Sequence, residues 1–599
     1  MNRLARLCAR ALVVALAAAS LPTQAIPAGQ QAVKPPAAVL QPVVVQASDF
    51  AVSPAVRSLP PATTVDPRDR NPDPPGKRRN PPVRPIVAPR PEGFQDPLIE
   101  PGRRAPNAMP PVITSFEGVS AANDQSILGA AIVPPDTNGD VGRTQYVQSV
   151  NSLLQIWDKN GTSQVGPIPL SSLWSSGTCS TSDDGDPIVL YDHLANRWLL
   201  SQFALPNYPS GPFYQCIAIS QTPDATGAYW LYEFVMPGTG ILNDYPHFGV
   251  WPSAYLMMDH QFVMPAGTWG GSGAFAFDRA QMLLGNPTAS YIYFDLNLLN
   301  PAIGGLLPAD LDGPAPPAGT PGYFAYPLST VWGDPMDGVR VYEFQPDWVT
   351  PTSSTFSLHG DVAVAAWDPD MCGYARNCIP QPPAVPPAAG TSQPVDAISD
   401  RFMHRLAYRT FGTHAAMVVA HTVDAGGDHA AVRWYELRRP LSPTPGPFAL
   451  YDQGTQAPDT THRWLGSAAI DSVGNLAVGY NASNATTVFP SIYYAGRLGT
   501  DPPGSGLAQG ESTAIAGSNS QTTSAYRWGD YSAMSTDPVD ECTFWYTQEY
   551  YTSSPPACSV SNYRCWQTRI VSFRFPSCNL IFRDGFGSGD ATAWSSSAS

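Results

Sequence analysis

Residues 466–480 read Gly466-Ser-Ala-Ala-Ile-Asp471-Ser-Val-Gly474-Asn475-Leu476-Ala-Val-Gly-Tyr480, which is two apolar runs joined by a short polar turn. Asp, Gly and Asn suit the backbone of a tight turn, and the flanking runs have the length and composition of β-strands. This segment therefore predicts a β-hairpin. Comparable hairpins recur in residues 186–203, 248–258 and 531–547.

The spacing of these units predicts the architecture. Asp186 and Asp244 are 58 residues apart, Arg401 and Arg463 are 62 apart, and Arg463 and Arg527 are 64 apart. A period near 60, made of short antiparallel strands, is typical of a β-propeller, in which each blade is a four-stranded sheet. Counting the units favours an all-β propeller of seven blades. Six blades remain the alternative, since the first unit could instead close the last blade.

The hairpin around Asp471-Ser-Val-Gly474-Asn475 resembles the Asp-x-x-Gly-Asn turns of bacterial propeller repeats. The span from Pro134 to Phe575 resembles a group of exported bacterial propeller proteins without an agreed activity. The motifs that carry this likeness begin at Pro135, Gly185, Asp244, Arg433 and Arg527, and read PDTNGDVG, GDPIVLYD, DYPHFG, RWYE and RWGDYS. The resemblance implies fold and export, but it implies no reaction.

The ends of the chain carry different signals. Arg3, Arg6 and Arg10 precede a short apolar run that ends in Thr23-Gln24-Ala25, so residues 1–25 are predicted to be a secretory signal peptide. Residues 26–111 contain 21 prolines and are predicted to be an extended, disordered spacer that forms no ladder. The propeller is assigned to residues 112–578, and residues 579–599 to a flexible tail that is either an address tag or a simple end.

Charge narrows the choice of partners. Residues 112–599 carry nineteen Lys and Arg against forty-one Asp and Glu. Such an acidic body is unsuited to nucleic acid or to an anionic membrane. No stretch of the mature chain is apolar for long enough to span a bilayer. We expect a monomer that is secreted or displayed at the cell surface.

Eight cysteines follow the predicted signal peptide, and in an exported protein an even number indicates disulfides. Local pairs, Cys179 with Cys216 and Cys372 with Cys378, are favoured, whereas the remaining connectivity stays open. The other four are Cys542, Cys558, Cys565 and Cys578.

The loops that lead into the innermost strands of a propeller meet at one mouth of the central channel. The residues predicted at that position are Asp140, Asp186, Asp244 and Asp334 from the early units, and Arg401, Arg463 and Arg527 from the late units. Arginines could hold a carboxylate in bidentate contacts while Asp186 or Asp244 transfers a proton. The alternative is that each Asp or Arg caps a turn or pairs within its own blade.

Two alternative functions are predicted for this mouth. The first is a propeller that binds an extracellular glycan or peptide there, aided by loop aromatics such as Trp174, Trp230 or Trp348. The second is an exported glycoside hydrolase of sialidase-like type that acts on acidic glycans. The Arg-Ile-Pro and Ser-x-Asp-x-Gly-x-Thr-Trp boxes of sialidases do not occur in this chain.

One segment suggests a cofactor. Asp136, Asn138 and Asp140 place oxygen atoms at alternate positions, as calcium loops do, although Val141 and Val147 depart from the EF-hand pattern. Calcium is therefore a possible cofactor, with an ordinary Asx-rich turn as the alternative. Asp310-Leu-Asp312-Gly313 is a second, weaker candidate.

Overall fold

The computed structural model describes residues 40–60, 84–99, 107–388, 390–554 and 564–578. These residues all belong to one unit, Leu40–Ser599. The predicted signal peptide and tail lie outside them. Among the described residues, no helix is long and apolar enough to cross a membrane.

The described chain consists mainly of short β-strands with two short α-helices. The strands are β1 (Val43–Gln46), β2 (Asp49–Val52), β3 (Thr114–Ser120), β4 (Thr137–Val141), β5 (Gln145–Val150), β6 (Leu153–Asp158), β7 (Ser163–Pro169), β8 (Ile188–Asp192), β9 (Arg197–Ala204), β10 (Tyr214–Ser220), β11 (Tyr229–Val235), β12 (Ile241–Trp251), β13 (Ala254–Val263), β14 (Thr268–Phe277), β15 (Ser290–Asp295), β16 (Leu307–Asp312), β17 (Gly322–Leu328), β18 (Gly338–Gln345), β19 (Thr355–Ala363), β20 (Met403–Thr410), β21 (His414–Asp424), β22 (Ala430–Pro440), β23 (Ala449–Gln456), β24 (His462–Ile470), β25 (Leu476–Ser483), β26 (Ser491–Arg497), β27 (Glu511–Ile515), β28 (Ala533–Thr536), β29 (Thr543–Tyr551) and β30 (Trp566–Arg574). The helices are α1 (Ala121–Ile127) and α2 (Arg279–Leu283).

The hairpin predicted at residues 466–480 is present. Ile470 of β24 pairs with Leu476 of β25. Between them, Asp471 Oδ1 accepts hydrogen bonds from the backbone N–H groups of Val473 and Asn475, at 3.0 and 2.8 Å. Gly474 has a φ of 86°, a left-handed value that glycine adopts without strain. The turn residues thus have the roles that their chemistry predicts.

The strands form seven consecutive antiparallel units, which we number as blades 1 to 7. Blades 1 to 6 comprise β4–β7, β8–β11, β12–β15, β16–β19, β20–β23 and β24–β27, and blade 7 comprises β28–β30 with β3. The innermost strands contact one another in a ring that runs from β4 through β8, β12, β16, β20, β24 and β28 back to β4. Blades 4 and 5 are also joined by a parallel pairing of β16 with β20. The prediction of a seven-bladed β-propeller is confirmed.

The ring is closed by a strand from the other end of the sequence. Strand β3 pairs antiparallel with β30, so that Phe116 lies opposite Ile570. Blade 7 therefore combines three late strands with one early strand. A disulfide between Cys542 and Cys578, with Cα atoms 5.5 Å apart, lies in the same blade. The first repeat unit is a blade in its own right, and it is the strand before it that closes the ring.

The prediction that residues 26–111 form no ladder is wrong for two stretches. Strand β1 pairs with β15 as a fifth strand of blade 3, and β2 pairs with β11 as a fifth strand of blade 2. Residues 43–53 contain no proline. An edge strand needs a ladder on only one of its sides, so the flanking Pro42 and Pro54 do not prevent the pairing.

Residues 84–99 bind the propeller through ion pairs. Arg84 Nη2 lies 2.6 Å from Asp334 Oδ1, and both side chains are largely buried. Asp96 Oδ2 lies 2.6 Å from Arg433 Nη2, and neither of these side chains is exposed. Thr455 also donates a hydrogen bond to Asp96 Oδ2. This part of the predicted spacer is therefore anchored to blades 4 and 5.

The disulfides confirm both of the favoured local pairs. Cys179 bonds to Cys216 and Cys372 bonds to Cys378. Cys565 is also disulfide-bonded, and Cys558 lies outside the described residues.

Replacing Asp96 with Asn is expected to lower the free energy of unfolding by about 3 to 5 kcal/mol, because it leaves the buried Arg433 guanidinium without its counter-charge. Chemical denaturation of both proteins measures the difference. Arg57→Met, which removes an exposed pair with Asp224, is the control and should cost less than about 1 kcal/mol. Equal effects of the two substitutions would contradict the assigned anchor.

Candidate functional site

The innermost strands all run in the same direction along the propeller axis, from one face of the ring to the other. We call the face at which they begin the front face, and the face at which they end the rear face. Asp136, Asp186 and Arg401 each lie one or two residues before an innermost strand, and Arg527 and Asp530 lie shortly before β28. The topology therefore brings residues of four blades together around the front opening, among them the predicted Asp186, Arg401 and Arg527.

Three of the residues predicted at this mouth lie elsewhere. Asp140 lies near the rear end of β4, because this strand begins at Thr137 and Asp136 is the residue that precedes it at the front face. Arg463 lies within β24 and turns sideways, where Nε and Nη2 bind the Glu511 carboxylate at 2.6 and 2.9 Å. Asp334 lies between β17 and β18 and pairs with Arg84. The predicted cluster of three arginines is thus reduced to Arg401 and Arg527.

Asp186 and Asp244, the two predicted proton-transfer residues, occupy different environments. Asp186 is 3% exposed, and its Oδ2 accepts a hydrogen bond of 2.9 Å from the backbone N–H of Tyr245. This contact ties the start of blade 2 to the start of blade 3. Asp244 is half-buried on β12, opposite His260 of β13. Asp186 therefore has a clear structural role, whereas Asp244 lies at the front surface.

A long connection between β19 and β20, residues 364–402, builds the wall of the mouth. The Cys372–Cys378 disulfide closes a short loop within it. A small pocket of about 30 Å³ opens here. It is lined by Met371, Tyr374, Ala375, Arg376, Asp396, Ala397, Ile398, Ser399 and Asp400. The connection is itself tied to blade 7, because Asp396 Oδ1 accepts a 2.7 Å hydrogen bond from the backbone N–H of Trp528.

Three guanidinium groups and three carboxylates are interleaved at the mouth. Arg401 binds the carboxylate of Asp400 through Nε and Nη2, at 2.8 and 3.0 Å. Arg527 contacts Asp530, and its Nε lies 3.3 Å from Asp396 Oδ2. Arg376 Nη1 lies 3.8 Å from the same Asp396 oxygen, which is beyond hydrogen-bonding distance. The cluster is balanced in formal charge.

The titration of these groups reflects burial and mutual attraction. Burial raises the pKa of Asp396 to about 6, although Arg527 and Arg376 oppose the rise. Burial and the neighbouring Arg527 lower the pKa of Arg376 to about 10. Burial would raise the pKa of Asp530, but Arg527, Arg401 and Arg376 together lower it. All three arginines therefore act electrostatically on Asp530, and Arg527 contacts it directly.

The repeat spacing did not reveal Arg376, Asp396 or Asp400, because they belong to a connection that occurs in only one unit. Two local signals were available. Asp400 directly precedes Arg401, and Arg376 lies between the paired Cys372 and Cys378.

Behind the mouth, the axis is lined by aromatic side chains. His247 contacts Tyr245, Tyr531 and His404, with ring centroids 4.3, 4.9 and 5.2 Å apart. In the described part of the chain, both ring nitrogens of His247 and the hydroxyls of Tyr245 and Tyr531 have no hydrogen-bond partner. Burial lowers the pKa of His247 well below its usual value and that of His404 to about 3. This part of the axis is therefore polar but uncharged at neutral pH.

The predicted calcium segment lies on an innermost strand rather than in a loop. Asn138 Oδ1 and Asp140 Oδ2 accept backbone hydrogen bonds from Val189 and Tyr191 of blade 2, each 2.7 Å long. Asp136 Oδ1 accepts one of 2.8 Å from Asp530. In the second candidate, Asp310 and Asp312 bind Arg405.

Within the described ranges, no group of three or more His, Cys, Asp or Glu could hold a metal ion. Calcium stays a prediction, and the geometry gives these oxygens protein donors instead.

Acidification is expected to destabilise the protein partly through His404. Its folded pKa of about 3 lies below the unfolded value of about 6.5, so the stability present above pH 6.5 is lost as the pH falls toward 3. At pH 4.5 this amounts to roughly 2 to 3 kcal/mol. Unfolding of a His404→Gln variant at pH 7.5 and pH 4.5 should therefore show a smaller loss than the parent. An equal loss in both proteins would refute the assignment.

Excess EDTA is expected to leave the melting temperature unchanged, because the candidate oxygens already accept hydrogen bonds from the protein. A ligand that binds only the folded state raises stability, so its removal lowers the melting temperature. Differential scanning fluorimetry with EDTA, and with calcium added back, measures this. A decrease that calcium reverses would establish a calcium site.

Comparisons with known proteins assign no family. No protein-family model and no curated sequence matches the chain. Among solved structures, the N-terminal domain of Nup159 has a TM-score of 0.31 and 6% identity, covering 80% of this chain and 99% of that one. An α-L-arabinanase from Penicillium chrysogenum has a TM-score of 0.31 and 10% identity, covering 66% of this chain and 100% of that one.

A protein of unknown function from Dyadobacter fermentans has a TM-score of 0.27 and 10% identity, covering 65% of this chain and 94% of that one. These similarities are weak, and the seven-bladed fold follows from the strand topology.

Proposed function

We propose that the protein is exported and binds an extracellular glycan at the front mouth of the propeller. The observation that carries the proposal is the polar wall of the small pocket at this mouth, where Arg376, Asp396 and Asp400 line a space of about 30 Å³. Sugar hydroxyls both donate and accept hydrogen bonds, so they suit a wall that offers carboxylates and a guanidinium.

The charge balance favours a neutral sugar over an acidic one. Arg401 and Arg527 already contact Asp400 and Asp530, and Arg463 is absent from the mouth. An acidic sugar would have to compete with these carboxylates for the guanidinium groups. A neutral ring can bind to the outer atoms of the pairs without separating them.

A peptide is the less suitable ligand. Peptides commonly bind as an added strand whose main chain pairs with an exposed sheet edge. The described mouth is instead built from the connections that precede the innermost strands and from residues 364–402. Its recognition groups are side chains, which suits a ligand with many hydroxyls.

Export is supported by two features. The described chain contains three complete disulfides, and such bonds persist in oxidising compartments outside the cytosol. The sequence also begins with the pattern of a signal peptide. A monomeric state remains a prediction that size-exclusion chromatography can test.

A hydrolase is the second candidate, and one observation favours it. The pKa of Asp396, about 6, is that of a carboxyl group able to act as a general acid near neutral pH. This role moves from Asp186 and Asp244 to Asp396. Release of reducing sugar from a bound glycan that disappears in Asp396→Asn, with the melting temperature retained, would favour the hydrolase. Binding without release favours the binding protein.

Replacing Arg376 with Met is expected to weaken glycan binding by at least about tenfold, because the cavity loses its charged hydrogen-bond donor. A printed array of neutral and acidic glycans identifies the ligand, and isothermal titration with the best hit gives the affinity. Arg340→Met is the matched control, since Arg340 is also a half-buried, paired arginine but lies on the outer strands of blade 4. Its affinity should equal that of the parent. Failure of the parent to bind any glycan would overturn the proposal.

A further inference from the structure

We propose that the front face of blade 3 carries a second sugar subsite built around Trp269, so that the ligand is an oligosaccharide running outward from the mouth. This inference rests on the proposed function and deepens it. It specifies a chain of neutral sugars rather than a single sugar, and it specifies the direction in which that chain leaves the cavity.

A continuous series of ring contacts connects the mouth with Trp269. The Arg401 guanidinium lies 4.8 Å above the centre of the Tyr245 ring. Tyr245 stacks on His260 at 5.0 Å, and His260 meets Trp269 edge to face at 5.2 Å. The indole is therefore linked to the Arg401 guanidinium through two buried rings, on the side of blade 3.

The indole is held in place and is partly open to solvent. Its Nε1 donates a 2.7 Å hydrogen bond to the backbone carbonyl of Pro301, and its ring packs edge to face on Phe262 at 5.6 Å. These contacts fix the ring while leaving it half-buried at the front face. A fixed, amphipathic ring of this kind binds a partner at little entropic cost.

The segment that holds the indole also carries an exposed apolar side chain. Leu298, three residues before Pro301, is 59% exposed. Gly271 of β14 packs on the preceding Asn297, where a Cβ atom would come within 2.6 Å of the Asn297 Cβ. Sugar rings present C–H groups on their faces, which suits an indole with apolar surface in its supporting segment.

Asp244 supplies a polar group between the mouth and this surface. It is half-buried on β12 and lies opposite His260, the residue that contacts both Tyr245 and Trp269. A carboxylate in this position can accept hydrogen bonds from the hydroxyls of a sugar that stacks on the indole. Asp244, predicted both as a candidate catalytic residue and as a ligand-binding residue, is thereby assigned to ligand binding.

The tryptophans predicted from the sequence do not provide this platform. Trp174 is 4% exposed. Trp230 lies within β11, and Gly285 packs against its indole. Trp348 lies on the rear face, where its Nε1 donates a 2.8 Å hydrogen bond to the carbonyl of Ser253.

The test compares Trp269→Ala with Trp348→Ala. Trp348 is the matched control because it is also half-buried and bonded to a backbone carbonyl, but on the opposite face. The probes are neutral homo-oligosaccharides of one to six units from the glucose, galactose, mannose and xylose series. Isothermal titration gives their affinities for the parent and both variants, and Trp269→Phe tests whether another aromatic ring restores binding.

In the parent, affinity should increase with chain length. In Trp269→Ala, the affinity for the longer oligosaccharides should fall by about three- to tenfold with no change for the single sugar, as expected for the loss of one aromatic contact. Trp348→Ala should match the parent. Equal affinity of the parent for one unit and for six units, or an equal loss for all lengths in Trp269→Ala, would overturn the subsite but leave the mouth intact. No binding of any sugar by the parent would overturn both.

Discussion

The common direction of the seven innermost strands is the constraint on which the mouth depends. Because each blade starts its inner strand on the front face, residues separated by about 60 positions in the sequence become neighbours. The contact of Asp186 Oδ2 with the backbone of Tyr245 and that of Asp136 Oδ1 with the backbone of Asp530 fix these starts relative to one another. The carboxylates of Asp136 and Asp186 therefore join neighbouring blades and also lie around the front opening.

Onto this ring the chain adds one irregular element, residues 364–402, which turns an opening into a cavity. It brings Arg376, Asp396 and Asp400 beside Arg401, Arg527 and Asp530, and the alternation of charge allows six ionised groups to share a small volume. Desolvation alone would favour their neutral forms, and the ion pairs offset much of that cost. The resulting wall is polar yet balanced, which is a surface suited to an uncharged ligand with many hydroxyls.

Much of the architecture could be predicted because it repeats. The interval near 60 residues predicted seven blades, and the turn chemistry of Asp471 and Gly474 predicted the hairpin. Less of the site could be predicted from the sequence, for reasons that differ from residue to residue. Arg463 occupies the expected position in the repeat, but its side chain turns to Glu511 of the outer strand, a contact that no spacing reveals. Asp140 is displaced by the length of β4, and Arg376 lies in a connection without a counterpart. Trp269 is recognisable only after the strand order places it at the front.

The pairing of β3 with β30 has a consequence for biogenesis. About 450 residues separate the two partners, so the last blade cannot be completed until β30 has been synthesised. Such a distant pairing slows folding, because the entropy cost of closing a long loop must be met before the contacts between the two strands can form. Until then β3 lacks the strand with which it pairs, and the ring of blades stays open.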